Sequence, residues 1–463
     1  MASYLKTVSP VNGQVYVERP LAEPADIARI LEGAAQAAAG WRETPLAERV
    51  ARLRVAVAGF VGKTPELAVE LTWQMGRPLA QTPGEIKGFE ERATSMLDTA
   101  EQALQDVRPA ARPGLERWIR REPHGVVAVI APWNYPYLTS VNAVIPALAA
   151  GNVVVLKHSH QTPLCAERYA EAMQAAGLPP GVFQYVHAGH ADTERLVADA
   201  RVRYVCFTGS VDGGRAIQRA LSGGFTGCGL ELGGKDPAYV RADADLASAV
   251  ENLVDGSFFN SGQSCCGIER IYVHRAIHGD FVEAFAGLTA RYRLGDPTDP
   301  HTTLGPLARA GAAAFVRRQV DQAVAAGARS VVDPRRFGAD PADPYYLAPR
   351  VLTNVDHGMR IMTEETFGPA VGIMAVDSDE QAVALMNDSA YGLTASIWTR
   401  DTDAARLIAD RLDTGTVFMN RCDYLDPALA WTGVKDSGRG CTLSTIGYEH
   451  LTRPKSFHFR LPR

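Results

Sequence analysis

One adjacent pair of cysteines, Cys265–Cys266, lies in the polar segment Asn260-Ser-Gly-Gln-Ser-Cys-Cys266. A cysteine in a short, glycine-containing stretch after Phe258-Phe259 can be held on a loop with its sulfur accessible. A thiolate there is a strong nucleophile toward carbonyl carbon. A cysteine taken alone is more often a small buried hydrophobe, so the neighbouring motifs decide. In Glu231-Leu-Gly-Gly-Lys-Asp-Pro237 a carboxylate precedes two glycines, which admit a close backbone approach and leave the acid beside a cleft, where it can activate water. Alone it reads better as a solvated acid at a strand end. In Ala131-Pro-Trp-Asn-Tyr-Pro136, Asn134 follows an apolar strand, and its amide can donate to an oxyanion; an Asx turn between prolines is the plainer alternative. In Phe207-Thr-Gly-Ser-Val-Asp-Gly-Gly214, glycines at a strand-to-helix turn suit a pyrophosphate. The spacing is not GxGxxG, and an ordinary glycine-rich turn explains it as well.

The elements that position these residues can be read from periodicity. Leu46, Val50, Leu53, Val57 and Phe60 form one apolar helix face, and the first hundred residues read as helices, with a second one over about Glu85–Leu104. Arg108–Pro113 carries two prolines and reads as a turn or linker. Beyond it, Val126–Ala131, Val153–Leu156, Val182–Val186 and Arg203–Phe207 are short runs rich in β-branched residues. They alternate with helical stretches at Pro163–Gly177 and Asp192–Ala200, and a further helix is expected to begin near Arg215. This alternation predicts βαβ units on a parallel sheet. Ile271–Val273, Val371–Val376, Ala395–Trp398 and Thr416–Met419 predict a second α/β region, and Lys455–Arg460 a terminal strand.

The chain has 463 residues, more than one compact core usually holds. Its net charge is −5, with no Lys/Arg block, which argues against a nucleic-acid partner. Met1–Pro10 shows no secretory pattern, and Ala143–Leu156 is too short and too interrupted to span a bilayer, so a cytoplasmic protein without membrane contact is expected. Seven cysteines, an odd number, with no CxxC or zinc spacing, predict reduced thiols and no metal.

The ordered set PWN, FTGSxxxG, ELGGKxP, GQxC and EExFGP resembles the aldehyde dehydrogenase superfamily. Gly295-Asp-Pro, Leu304-Gly-Pro-Leu, Asn387…Tyr391-Gly-Leu and Gly433-Val-Lys-Asp-Ser-Gly438 add to it, over nearly the whole chain. The resemblance implies an α/β fold: a Rossmann-type cofactor domain (1–106 and 122–232), an α/β catalytic domain (233–447) and a small β oligomerisation extension (107–121 and 448–463). It implies that Cys265 is the nucleophile, Asn134 an oxyanion donor, and Glu231 the base that hydrolyses the resulting thioester. Trp133, Lys157, Gly209, Ser210, Gly214, Glu365 and Phe367 correspond to cofactor-binding positions. His160 replaces the family's usual ribose-binding glutamate. A histidine does not repel a 2′-phosphate as a carboxylate does, so weakened discrimination against NADP+ is expected, while NAD+ remains the expected cofactor because the family's fold more often uses it.

The family's succinic-semialdehyde members carry tunnel arginines where this chain has Asn142 and Phe259. The expectation is therefore an apolar or aromatic aldehyde in a pocket formed by Tyr135, Leu138, Asn142, Phe259, Ser264, Cys266 and Trp431, with Tyr424 nearby. A semialdehyde or aminoaldehyde is the alternative, with Arg421 a candidate cation. Two rivals are a catalytically silent relative, against which the intact Cys265 and Glu231 speak, and an acyl transferase to coenzyme A, whose family members typically lack the ELGG glutamate. In the family this extension pairs with a neighbouring subunit's sheet, so the resemblance implies a homodimer or homotetramer, which agrees with the aggregation hazard of an unpaired β extension.

Overall fold

The computed structural model describes residues 3–338 and 342–462; Met1, Ala2, Ala339–Pro341 and Arg463, which fall inside the expected segments, lie outside the described residues. Two mainly parallel sheets dominate. The six-stranded sheet has the order 438–439, 227–231, 202–208, 126–131, 153–158, 183–185. The seven-stranded sheet runs 329–330, 350–353, 370–376, 268–274, 236–240, 394–398, 416–419. Within these two sheets, among the described residues, only the edge strands 438–439 and 329–330 pair antiparallel.

The central strands Val126–Ala131 and Val153–His158 are buried at every residue, because helices cover both faces. That is why they read as unbroken apolar runs rather than as alternating ones. Chain direction in the strand order diverges between Val126–Ala131, whose sequel lies on one side, and Val202–Thr208 on the other. At such a switch point a crevice opens beyond the carboxyl ends of the strands. Asn134, Lys157, Thr208, Gly209 and Glu231 all lie at or just past those ends.

The opening of the chain corrects the sequence expectation. Tyr4–Val8 and Val15–Pro20 form an antiparallel hairpin ahead of the first helix, Pro24–Glu43. Period-2 burial of Leu5 and Thr7, with an Asn12-Gly13 turn, marks it. The expected helices near Leu46 and Glu85 span Leu46–Val61 and Thr82–Ala103. Leu115–Pro123 pairs along its whole length with Thr452–Arg460, in a two-stranded antiparallel ribbon apart from both large sheets. Among the described residues no helix is long and apolar enough to cross a membrane.

Candidate active site

Cys265 lies between the helix Leu246–Phe258 and the strand Ile268–His274, on a segment whose backbone is unusual. Asn260, Ser261 and Gly262 take successive left-handed conformations (φ 52°, 56° and 70°). Left-handed non-glycine residues concentrate where a fold over-determines the backbone, commonly at functional sites. Here the side chains lock the turn. Asn260 Nδ2 donates to the Asn134 carbonyl at 3.1 Å, the Ser261 hydroxyl donates to the Gly305 carbonyl at 2.8 Å, and Gln263 Oε1 accepts from the Ala308 N–H at 2.9 Å.

The ELGG segment abuts the same loop. A Cβ on Gly234 would collide with the Cys265 carbonyl, so only glycine permits that approach, and one on Gly233 would displace the Glu365 carboxylate. Asn134, 5% exposed, donates from Nδ2 to the Gln263 carbonyl at 3.1 Å. That uses one amide hydrogen and leaves the second. Arg77, fully buried, holds this arrangement from behind: it pairs with Glu85, donates to the Asn134 carbonyl and reaches Asn260 Oδ1 at 3.1 Å.

The two adjacent thiols differ. Cys265 is half-buried and lines the cavity wall. Cys266 is 4% exposed and donates from its sulfur to Asp423 Oδ1 at 2.9 Å. Its contact with the Cys265 thiol, then burial, pushes its pKa well above the ordinary thiol value. Glu231 is held at both oxygens: Thr442 donates to Oε1 at 2.6 Å and Thr208 to Oε2 at 3.2 Å. Burial raises its pKa, and the two hydroxyls partly offset that.

A cavity of about 370 Å³ joins these groups. Cys265, Glu231 and all seven expected pocket residues line it: Tyr135, Leu138, Asn142, Phe259, Ser264, Cys266 and Trp431. Tyr424 lines it as well, whereas Arg421 is exposed, with its guanidinium stacked 3.5 Å from the Tyr424 ring centroid. The pocket does hold an arginine, Arg92, delivered by the helix Thr82–Ala103. Gly84, Lys87, Gly88, Glu91 and Arg92 line the cavity at spacings of one helix face, a signal that Asn142 and Phe259 alone could not give.

The residues expected at the cofactor gather beyond the carboxyl ends of the six-stranded sheet. Ser210 caps the helix Val211–Leu221, accepting from the Gly213 N–H at 3.2 Å, so this helix starts four residues before the expected Arg215. A Cβ on Gly209 or Gly213 would fall 2.8 or 2.6 Å from Phe207 Cζ, so a side chain at either position would have to displace that ring. The first N–H groups of the helix have no intrahelical acceptor, which suits a pyrophosphate. Trp133 and Phe367 meet edge to face at 5.6 Å. Glu269 accepts from the N–H groups of Thr366 and Phe367 at 2.8 and 2.9 Å and from Lys235, fixing the segment that carries Glu365. Burial lifts the Glu365 carboxyl to about 7. Lys157, 7% exposed, is lowered to about 8 by burial and by Arg309. His160 is half-buried and bonds from Nε2 to the Ala188 carbonyl at 2.8 Å. A carbonyl only accepts, so Nε2 carries the proton and Nδ1 is an acceptor in the neutral ring. Burial, then Lys157, lowers its pKa and keeps it neutral. This set of a bare turn, a cation, an acceptor and paired rings fits a nicotinamide dinucleotide.

The model of the aldehyde dehydrogenase family matches residues 2–457. The chain belongs to that family. A succinate semialdehyde dehydrogenase [NAD(P)+] of Escherichia coli (strain K12) is 34% identical over 449 residues, covering 96% of each chain. A 3,6-anhydro-alpha-L-galactose dehydrogenase of Streptomyces coelicolor is 37% identical, covering 98% of this chain and 93% of the relative. Among solved structures, an indole-3-acetaldehyde dehydrogenase with NAD+ superimposes with a TM-score of 0.94 at 31% identity, covering 99% of this chain and 94% of that one. This aldehyde dehydrogenase thus carries its family's motifs on the carboxyl ends of one sheet and on the loop that faces them. The sequence motifs pointed to those residues, while Arg77, Thr442 and Arg92, which lie outside the motifs, and the bond of Thr208, within FTGSxxxG, to Glu231 became visible only in three dimensions.

Proposed function

We propose that this aldehyde dehydrogenase oxidises an aldehyde to the carboxylic acid with NAD(P)+ and water, through a covalent bond to Cys265. The observation that carries the reading is the shared cavity: the accessible Cys265 thiol and the half-buried Glu231 carboxylate both line it, with the Asn134 amide bonded to the loop that holds the thiol.

The Cys265 thiolate attacks the aldehyde carbon and gives a thiohemiacetal. The second amide hydrogen of Asn134 and the Cys265 N–H hold its oxyanion. When bound, the nicotinamide supplies the oxidising step by accepting a hydride from that carbon. Trp133, Lys157, His160, Gly209, Ser210, Gly214, Glu365 and Phe367 hold and orient the dinucleotide. Cys265 is then left as a thioester. Glu231 takes a proton from water, which attacks the acyl carbon; the acid leaves and the Cys265 thiolate is regenerated. The presence of Glu231 supports water, rather than coenzyme A, as acyl acceptor. The names of the Escherichia coli and Streptomyces coelicolor relatives support a polar aldehyde, a semialdehyde first, over an apolar or aromatic one.

Cys265→Ala is expected to abolish aldehyde-dependent NAD(P)H formation while retaining cofactor binding, and Cys266→Ala to cost far less. Glu231→Gln is expected to give a burst of NAD(P)H followed by a slow steady rate. If Cys266→Ala were the inactive variant, Cys265 would lose its role.

A further inference from the structure

Arg92 is 8% exposed, and the carboxylates of Glu231, Glu85 and Asp423 act on its charge only from a distance. Nη1 donates to the Leu138 carbonyl at 2.6 Å and lies 3.5 Å from Asn142 Oδ1. Among the described residues, no acceptor is recorded for Nε or Nη2, and Arg92 forms no ion pair. The other buried arginines behave differently. Arg77 is paired with Glu85, and Arg49 and Arg270 spend their donors on several backbone carbonyls. A buried cation with unused donors carries a desolvation cost that only an anion on its open side offsets. That side is the cavity which also holds Cys265 and Glu231.

The surroundings define what enters. Lys87 and Glu91 stand exposed at the mouth on the same helix face, with Glu91 accepting from the Tyr424 hydroxyl at 3.0 Å. Inside, Asp423 accepts on Oδ1 from Cys266, and more weakly from Ser264 at 3.4 Å. Burial pushes it up to about 7 and also raises Asp255, which lines the same cavity, so these two carboxyls oppose an anion less than their number suggests. Asn142 and Phe259 are neutral, which leaves Arg92 as the guanidinium lining the cavity.

We propose that Arg92 is the specificity-determining residue, its Nε–Nη2 edge gripping the carboxylate of a short aldehyde acid whose carbonyl lies at Cys265. The edge of a guanidinium matches the two oxygens of a carboxylate, and a pair of charge-assisted bonds fixes orientation as well as affinity. Holding Nη1 on the Leu138 carbonyl prevents the fork from turning. The arrangement rests on the Cys265 chemistry above and extends it by naming what sits at the other end of the substrate.

Two measurements on the full-length enzyme test this and separate it from the reading it rests on. In the first, kcat/KM is compared for 4-oxobutanoate and butanal, which differ at the carboxylate. Wild-type enzyme is expected to favour the oxo acid, and Arg92→Met to lower the oxo-acid-to-butanal ratio about 100-fold, mainly through KM, in line with loss of a charge-assisted pair. Arg92→Lys, which keeps the charge but not the fork, should fall between. Equal losses on both substrates, an unchanged ratio, or a wild-type preference for butanal would overturn the proposal. The second measurement is calorimetric binding of succinate to Cys265→Ala, which needs no turnover. Binding that disappears when Arg92→Met is added supports the carboxylate site even if the Cys265 mechanism were wrong; absence of binding to Cys265→Ala overturns the site while leaving the mechanism intact.

Discussion

At the scale of single residues, charge state governs both the proposed base and the proposed cofactor contact. Glu231 must be ionised to take a proton from water, and burial raises its pKa above the ordinary carboxylate value. The acid limb of kcat is therefore expected above the range of a solvated glutamate. Thr442 donates to the ionised form at 2.6 Å and so favours it. Thr442→Val removes that bond and raises the Glu231 pKa further, so the acid limb should move to higher pH; a kcat–pH profile that stays in place would detach Thr442 from the base. His160 works in the opposite sense. Its neutral ring offers Nδ1 as an acceptor, which suits a ribose hydroxyl, whereas the protonated ring offers a cation, which suits a 2′-phosphate. Lys157, His187 and His190 crowd it, and its pKa lies below the ordinary imidazole value. The ratio of kcat/KM for NADP+ to that for NAD+ should accordingly rise as pH falls below neutrality, and His160→Glu should suppress NADP+ use. A ratio independent of pH would show that the imidazole does not read the ribose.

At the scale of elements, the helix Thr82–Ala103 does more than its apolar pattern announces. Its inner face places Glu85 under Arg77, and Arg77 in turn holds the Asn134 and Asn260 backbone–side-chain network. Both partners of that pair are essentially without solvent. Removing one strands the other as a buried charge, which costs about 3–5 kcal/mol. Arg77→Met should therefore lower the melting temperature by several degrees and reduce kcat together, because the Asn134 carbonyl and the Cys265 loop lose one anchor; a full-activity variant of unchanged stability would contradict this. The helix itself was legible from its periodicity, and the parallel strands from their unbroken β-branched runs. The hairpin Tyr4–Pro20 was passed over because two strands of five and six residues give only a few alternations against a strongly helical sequel. Cys265, Glu231 and Asn134 were legible because their motifs are local. Arg92 was not: its meaning depends on lacking a partner across the cavity, and a missing contact leaves no trace in spacing.

At the scale of the whole molecule, the ribbon of Leu115–Pro123 and Thr452–Arg460 is the part least explained by a single chain. A two-stranded ribbon is marginal by itself. Trp118 stacks on Phe457 at 4.4 Å and stiffens it, and Val107 bridges to Ile119 along the outer side of the first strand. No third strand among the described residues pairs with Thr452–Arg460, so a nine-residue edge is open, with Phe459 and Leu461 about half exposed. The seven-stranded sheet ends in an equally unpaired edge strand, Thr416–Met419. Open edges of this kind invite either aggregation or a defined partner. We propose that the ribbon of one copy meets the sheet edge of another, giving a homodimer or a homotetramer built from dimers. Light scattering should then return two or four times the 49.9 kDa chain mass. Hydrogen exchange should find the outward amides of 452–460 and 416–419 protected together, and both should become labile if Phe459→Lys splits the assembly. A monomeric mass at micromolar concentration, or rapid exchange along 452–460 in the intact enzyme, would leave the ribbon without that partner.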